Sequence, residues 1–270
     1  MIILIDYLYR ILVKFVKICD FKLFFRNLPK INTWTEWTEI DNYFGVLSTD
    51  PYFKKFRRNR ILMDTMDYQR FDARKSSINL KNSGVLEPKV GRPIKPFLLR
   101  NSLNSGHQYR HLLAWMSTTS LNLNSIERIV EFGGGYGCMR WLVSHLGFNG
   151  KYLIVDNSGI QKLQQRYLKE VSTYSQLENT NWVNTIEDLN PNLEKNDLFI
   201  ALWSVSETPT EFMKNALTQL DKSNCHLLIA FQHDFHGRKN TEFFEGIFKS
   251  ATRSEIKDIA GKINSTYIFR

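Results

Sequence analysis

Between residues 131 and 137 the chain reads Glu-Phe-Gly-Gly-Gly-Tyr-Gly. A cluster of four glycines in five positions weakens any helix or strand that contains it, so it must be a turn. The residues on either side say which turn. IERIVEF (126–132) is short, apolar and β-branched, the signature of a buried strand. CMRWLVSHLG (138–147) has helical spacing and closes on Gly147, a helix C-cap residue. The unit is therefore strand, glycine turn, helix. Such a turn lets the chain reverse sharply and lets a ligand approach the backbone, while the helix N-terminus beyond it offers free N–H groups.

The same alternation continues. KYLIVDN (151–157), WVNTI (182–186), DLFIALWSV (197–205) and CHLLIAFQ (225–232) read as strands, and EIKDIAGKINSTYIFR reads as two more around Gly261. Helical spacing falls between them: GHQYRHLLAWMSTTSL before the first strand, IQKLQQRYLKEVS after the second, and TEFFEGIFKS after the fifth. Thr208-Pro209-Thr210-Glu211 has the form of a capping box with Pro at the first helical position. Strands alternating with helices imply βαβ units, right-handed crossovers and a mostly parallel sheet covered on both faces. Ligands of such sheets bind beyond the carboxyl ends of the strands.

A dinucleotide fingerprint requires G-x-G-x-x-G. Starting at Gly133 the third glycine falls on Cys138; starting at Gly134 the second falls on Tyr136; starting at Gly135 the third falls on Arg140. All three frames fail. The compact E-x-G-x-G-x-G spacing instead resembles motif I of the class I methyltransferases, which use S-adenosylmethionine (SAM). That resemblance implies a Rossmann-like α/β sheet, mostly parallel with an antiparallel last strand. It implies that Glu131 and the loop Gly133, Gly134, Gly135 and Gly137 hold the methionine portion of the cofactor. Asp156 ends the second strand, where an acid accepts hydrogen bonds from ribose hydroxyls. Asp188, in NTIEDL after the third strand, falls near the family's adenine contact, with Glu187 and Asn184 as alternatives. Tyr109, with His107 and Gln108, precedes the first strand and either helps close the pocket or covers the sheet. LWSVSETP after strand four and FQHDFHG after strand five, together with EFGGGYG and YLIVD, resemble the sugar O-methyltransferase group of bacterial surface-glycan gene sets, over roughly residues 90–250.

A hydroxyl is a poor nucleophile until its proton leaves, so a general base is expected at a strand carboxyl end. His233 and Asp234 follow strand five and Glu207 follows strand four; His107 is a further candidate. His233 is favoured because an unperturbed imidazole titrates near neutral pH. His233 and His236 around Asp234 also form a metal-like pattern, but two imidazoles are soft for magnesium and no third histidine or cysteine is near for zinc. No metal is expected.

Charge divides the chain. Residues 1–100 hold 19 Lys/Arg and 10 Asp/Glu, whereas residues 101–270 hold 17 of each, so the whole formal excess of +9 lies in the first hundred residues. The expected organisation is a basic, helical N-terminal extension over 1–100 and a methyltransferase domain over 101–270. A helix start at Asp50-Pro51 and an extended linker or lid over 76–100 fit the first part, the latter holding three of the seven prolines. Asp6, Arg10, Lys14 and Lys17 interrupt the apolar start, so it reads as an amphipathic helix, not a spanning segment or a signal peptide. Residues 1–25 could then contact a membrane surface, their own domain or a second copy of the chain. Cys19, Cys138 and Cys225 lie far apart with no C-x-x-C, which fits a reducing cytoplasm, with peripheral attachment at the inner membrane face as the variant.

Three rival functions follow. KKFRRNR (54–60) suits a nucleic-acid methyltransferase, but strand four ends in SVSETP where an amine-methylating enzyme has D/N/S-P-P-aromatic, and a single aromatic, Phe56, does not interleave the basic run as a base-stacking surface would. Nucleic acid is therefore disfavoured against a sugar or glycan acceptor. A small-molecule methyltransferase and a non-catalytic SAM-fold binding protein are the others.

Overall fold

Residues 79–88, 90, 101–184, 193–208, 210–235, 237–257 and 263–270 are described by the structure, a computed structural model. The expected apolar runs become strands: β1 (Arg128–Phe132), β2 (Lys151–Val155), β3 (Thr180–Val183), β4 (Asp197–Leu202) and β5 (His226–Gln232). After the two-residue strands β6 (Asp234–Phe235) and β7 (Arg238–Lys239) come β8 (Thr252–Lys257) and β9 (Ile263–Phe269). The helices are α1 (Leu103–Thr119), α2 (Cys138–His145), α3 (Ser158–Val171), α4 (Tyr174–Glu178), α5 (Ser204–Glu207), α6 (Thr210–Lys222) and α7 (Asn240–Ile247).

Seven strands form one sheet in the order β3-β2-β1-β4-β5-β9-β8. β1, β2, β3, β4 and β5 pair in parallel, and β9 runs antiparallel to both β5 and β8. This is the expected mostly parallel sheet with an antiparallel last strand, with β1 and β4 side by side at its centre, where the strand order reverses.

Both faces are buried, which is why the strands read as continuous apolar runs. Alternate residues divide between two cores. Ile129, Ile154, Leu198, Ile200, Leu228 and Ala230 pack with Trp115 of α1 and Trp141 and Leu142 of α2. Val130, Val155, Phe199, Ala201, Ile229 and Phe231 pack with Met213 and Leu217 of α6 and Phe244 of α7. Each such apolar side chain stabilises the fold by about 1.5–3 kcal/mol on full burial. The first core also buries Arg140, whose guanidinium donates to Thr180 Oγ1, Ser144 Oγ and the Gln176 carbonyl and lies over the Tyr152 ring.

Several elements depart from expectation. β4 stops at Leu202, because Trp203 adopts φ 72°, ψ −36° and starts the short helix α5. β3 begins and ends earlier than 182–186, after an unanticipated α4 closed by a reciprocal Thr173–Gln176 capping box. At the capping box expected ahead of α6, the Thr208 hydroxyl donates to the Ser204 carbonyl at 3.0 Å. The FQHDFHG segment supplies β6 and the turn of the β6–β7 ribbon, made through Gly237 at φ 81°, whose N–H donates to Asp234 Oδ1.

Of the segment expected to be a linker or lid, residues 79–88 form a strap over the start of α1. Leu80 and Val85 enter the first core. The buried Glu87 carboxylate accepts from the Ser102 backbone N–H and hydroxyl, at the N-cap of α1. Asn101 ties the same strap through Glu87 N and the Val85 carbonyl. The division placed at residue 100 thus runs through a hydrogen-bonded contact. The amphipathic start, the Asp50-Pro51 helix and KKFRRNR lie outside the described residues. Among the described residues, no helix is long and apolar enough to cross a membrane.

Candidate cofactor and acceptor site

The glycine turn lies at the carboxyl end of β1. Gly133, Gly135 and Gly137 have φ 75°, 55° and 97°, the left-handed region where a side chain is strained. The alternate spacing of the motif is therefore a backbone requirement. A Cβ on Gly133 would lie 2.3 Å from Ser204 Cβ, because the tip of β4 packs directly on the loop and the Ser204 hydroxyl donates to the Phe132 carbonyl. Gly134 packs on Glu131, while Gly135 faces open space with no heavy atom within 4 Å of a Cβ built there. Tyr136 anchors the loop from beneath: its hydroxyl accepts from Asn104 of α1 at 2.9 Å, and its ring meets Tyr167 of α3 edge-on.

Two carboxylates flank this loop. Glu131 is 5% exposed and accepts a 2.7 Å hydrogen bond from the Tyr152 hydroxyl. Burial pushes its carboxyl up to about 7; the Tyr152 bond opposes the shift, Asp156 adds to it and Arg140 opposes it. Asp156, at the tip of β2, accepts from Asn157 N at 3.0 Å and from Gln164 Nε2 at 2.8 Å. The same Gln164 amide donates to the Gly135 carbonyl at 3.0 Å, so one side chain of α3 clasps the glycine loop to the second strand. Gln164 is absent from the expected site residues. Its only sequence signal is its place two helical turns after Asp156 on the inward face of α3. Tyr109 is half-buried and packs against the first core. Asp188 and Glu187 lie outside the described residues, and Asn184 is exposed just after β3.

A second group of polar residues gathers at the carboxyl ends of β4 and β5. Burial raises the Glu207 carboxyl above its ordinary range, opposed by a hydrogen bond with Gln232. The Ser206 hydroxyl lies within bonding distance of the Trp203 carbonyl and Gln232 Oε1. Asn240 crosses from α7 to the Ser206 and Gln232 carbonyls, and Arg238 donates to the carbonyls of Glu207 and Thr208. His233 is half-buried, with Nε2 2.8 Å from Thr266 Oγ1 of β9. Asp234 is exposed and holds the ribbon turn. The expected trio therefore divides: Glu207 and His233 stand at neighbouring strand ends, and Asp234 serves the ribbon. His236 lies outside the described residues.

His107 is buried inside α1. Its Nε2 lies 2.9 Å from His111 Nε2, and His111 Nδ1 lies 2.6 Å from the Tyr267 hydroxyl. Its ring lies nearly parallel to Trp203, with centroids 6.2 Å apart. Burial, then the neighbouring Arg110, holds the His107 imidazole down at about 3. An imidazole so hard to protonate is neutral at pH 7 and a weak proton acceptor, which favours the other candidates over His107 as general base.

No family model matches the chain, and no curated protein does. Solved structures that resemble it include magnesium protoporphyrin IX methyltransferase from Synechocystis with bound SAM, at 16% identity, 84% of this chain, 95% of that chain and a TM-score of 0.45. An O-methyltransferase family protein from Burkholderia thailandensis matches at 10% identity, 61% of this chain, 57% of that chain and a TM-score of 0.44. Precorrin-6y C5,15-methyltransferase from Geobacter metallireducens matches at 13% identity, 54% of this chain, 82% of that chain and a TM-score of 0.36. Likeness at this level assigns no residue and no substrate.

Proposed function

We propose that this chain is a SAM-dependent methyltransferase acting on a hydroxyl of its acceptor. The observation that supports it most is the cradle at β1: three glycines at left-handed φ, the outward one open, between the carboxylates of Glu131 and Asp156. SAM would supply a methyl already activated on a sulfonium, so the protein has to bind, orient and dehydrate.

In this reading Glu131 takes the cofactor's ammonium group, and Asp156, steadied by Gln164, takes the ribose hydroxyls. Asp188, outside the described residues, is proposed for the adenine contact. The glycine loop lets the cofactor lie against backbone, as a side chain at Gly135 would not. The acceptor sits beyond β4 and β5. With SAM bound, its methyl would pass from sulfur to the acceptor oxygen, and the Glu207 carboxylate would take the hydroxyl proton. Glu207 is preferred to His233 because burial raises its proton affinity toward neutral pH, while His233 already pairs with Thr266. Holding the two reactants in line contributes up to about 7–11 kcal/mol in well-aligned systems.

For the acceptor we favour a sugar hydroxyl, free, nucleotide-linked or lipid-linked. The support is the polar pair at this edge, Glu207 and Gln232, which suits a polyhydroxylated ligand, and the SVSETP and QHD segments. Contact of residues 1–25 with a membrane and self-association stay proposals of the same rank.

Calorimetric titration with SAM and, separately, NAD tests the cofactor. Micromolar SAM binding without an NAD response is expected. Absence of SAM binding would overturn the methyltransferase reading and favour a binding protein built on this fold.

A further inference from the structure

The tip of β4 carries three anomalies in one place. Trp203 has φ 72°, a conformation that costs a bulky residue about 1–3 kcal/mol. Its indole Nε1 is buried with no hydrogen-bond partner among the described residues. His107 Nδ1, on the ring lying nearly parallel to that indole, is also buried with no partner. Each orphaned group costs about 1–3 kcal/mol, so the fold sustains this spot at a loss that asks for a reason.

The histidine chain explains why the orphan is His107 Nδ1. If Tyr267 donates to His111 Nδ1, His111 donates from Nε2 to His107, and His107 keeps its proton on Nδ1. If His111 donates to Tyr267, His107 donates from Nε2 and its Nδ1 is a bare acceptor. Both arrangements satisfy every nitrogen of the pair except Nδ1 of His107. The pair thus presents one nitrogen that can either donate or accept, according to the tautomer, beside an indole that only donates.

We propose that His107 Nδ1 and Trp203 Nε1 form the hydroxyl-binding subsite of the acceptor pocket, holding a neutral polyol by paired hydrogen bonds. This rests on the methyl-transfer reading given above. A hydroxyl both donates and accepts, so it matches either tautomer and accepts from the indole in both. A cation or a carboxylate would match only one. The low imidazole pKa fits the same assignment, because the subsite stays uncharged across the neutral range. Both nitrogens are shut off from solvent, so the proposed binding requires the Trp203 ring to move away from His107. His111 and Tyr267 act through His107 as positioning residues.

The test uses the full chain saturated with S-adenosylhomocysteine, titrated with methyl α-glucoside, methyl α-rhamnoside and phenol. Binding is followed by histidine ¹⁵N resonances. Saturable binding of at least one glycoside is expected, with movement of the His107 Nδ1 resonance. His107→Leu should weaken it about tenfold, the loss of one hydrogen bond to a buried group. His107→Asn, whose amide can also donate or accept, should stay within a few-fold of wild type. S-adenosylhomocysteine affinity should be unchanged in both. Tyr267→Phe should shift the His107 tautomer resonances before it alters glycoside affinity. Unchanged glycoside affinity in His107→Leu, a stationary Nδ1 resonance, or binding of phenol alone would each overturn the subsite. Failure of S-adenosylhomocysteine to bind wild type is a separate result and sinks the methyltransferase reading instead.

Discussion

The two halves of the sheet's carboxyl edge are built differently. At β1 and β2 the loops are tied down by short hydrogen bonds: Glu131 to Tyr152, Asp156 to Asn157 and Gln164, and Gln164 again to Gly135. Positive φ there falls on glycines, where it costs little. At β4 and β5 it falls on a tryptophan, and two neighbouring nitrogens, Trp203 Nε1 and His107 Nδ1, have no partner among the described residues, against one oxygen, Gln164 Oε1, beside the glycine loop. A pocket for one constant ligand can be finished in advance. On the proposed function the β4 and β5 edge takes an acceptor that must enter, react and leave, and strain and unmet hydrogen bonds there would be relieved by binding.

The largest expected effect breaks the finished half. Gly133→Ala drives a Cβ into Ser204 and strains the backbone, so a loss of about 3–5 kcal/mol of stability is expected in chemical denaturation. Gly135→Ala, with open space around it, should cost only about 1–2 kcal/mol. Equal losses at the two positions would mean that the close approach of β4 to the loop is not real.

Next comes the acceptor half. Glu207→Gln should lower turnover by about 10²–10⁴-fold with SAM affinity retained, measured by single-turnover methyl transfer. Wild-type turnover in this variant would remove Glu207 as base.

Glu131 gives a prediction with a sign. Its folded carboxyl titrates near 7, above the 4.5 of an unperturbed Glu. Folding therefore favours the protonated form: the contribution is present below 4.5 and is lost as pH rises through 7, an effect of up to about 3 kcal/mol. Glu131→Gln should raise the cofactor-free melting temperature at pH 8 and barely change it at pH 4.5, while weakening SAM binding. A larger stabilisation at the lower pH would reverse the assignment.

Asp156→Ala should weaken SAM about tenfold, the loss of a charge-assisted hydrogen-bond acceptor, read by calorimetry. Unchanged affinity would leave the β2 tip without a ligand role. The smallest effect belongs to His233→Ala, which removes the bond to Thr266 and should reduce turnover by about threefold, as for a typical single hydrogen bond. A hundredfold fall would transfer the base role from Glu207 to His233.

Much of this was legible along the chain because it is local. The apolar runs at 128–132, 151–155 and 226–232 show the strands, and the E-x-G-x-G-x-G spacing marks residues whose φ only glycine adopts easily. A turn's backbone sterics act within a few residues, so a short motif records them. What the chain could not disclose depends on which distant segments the sheet brings together. Gln164 matters only because α3 crosses over the glycine loop. Trp203 reads as the apolar continuation of a strand, and its left-handed turn appears only where β4 meets Gly133 and Ala230. His111 and Tyr267, 156 positions apart, meet because antiparallel β9 inserts between β5 and β8 and passes under α1. Local spacing determined the glycine turn; the order of strands in the sheet decided the edge at β4 and β5, because side-chain contacts between remote segments exist only once the sheet has assembled.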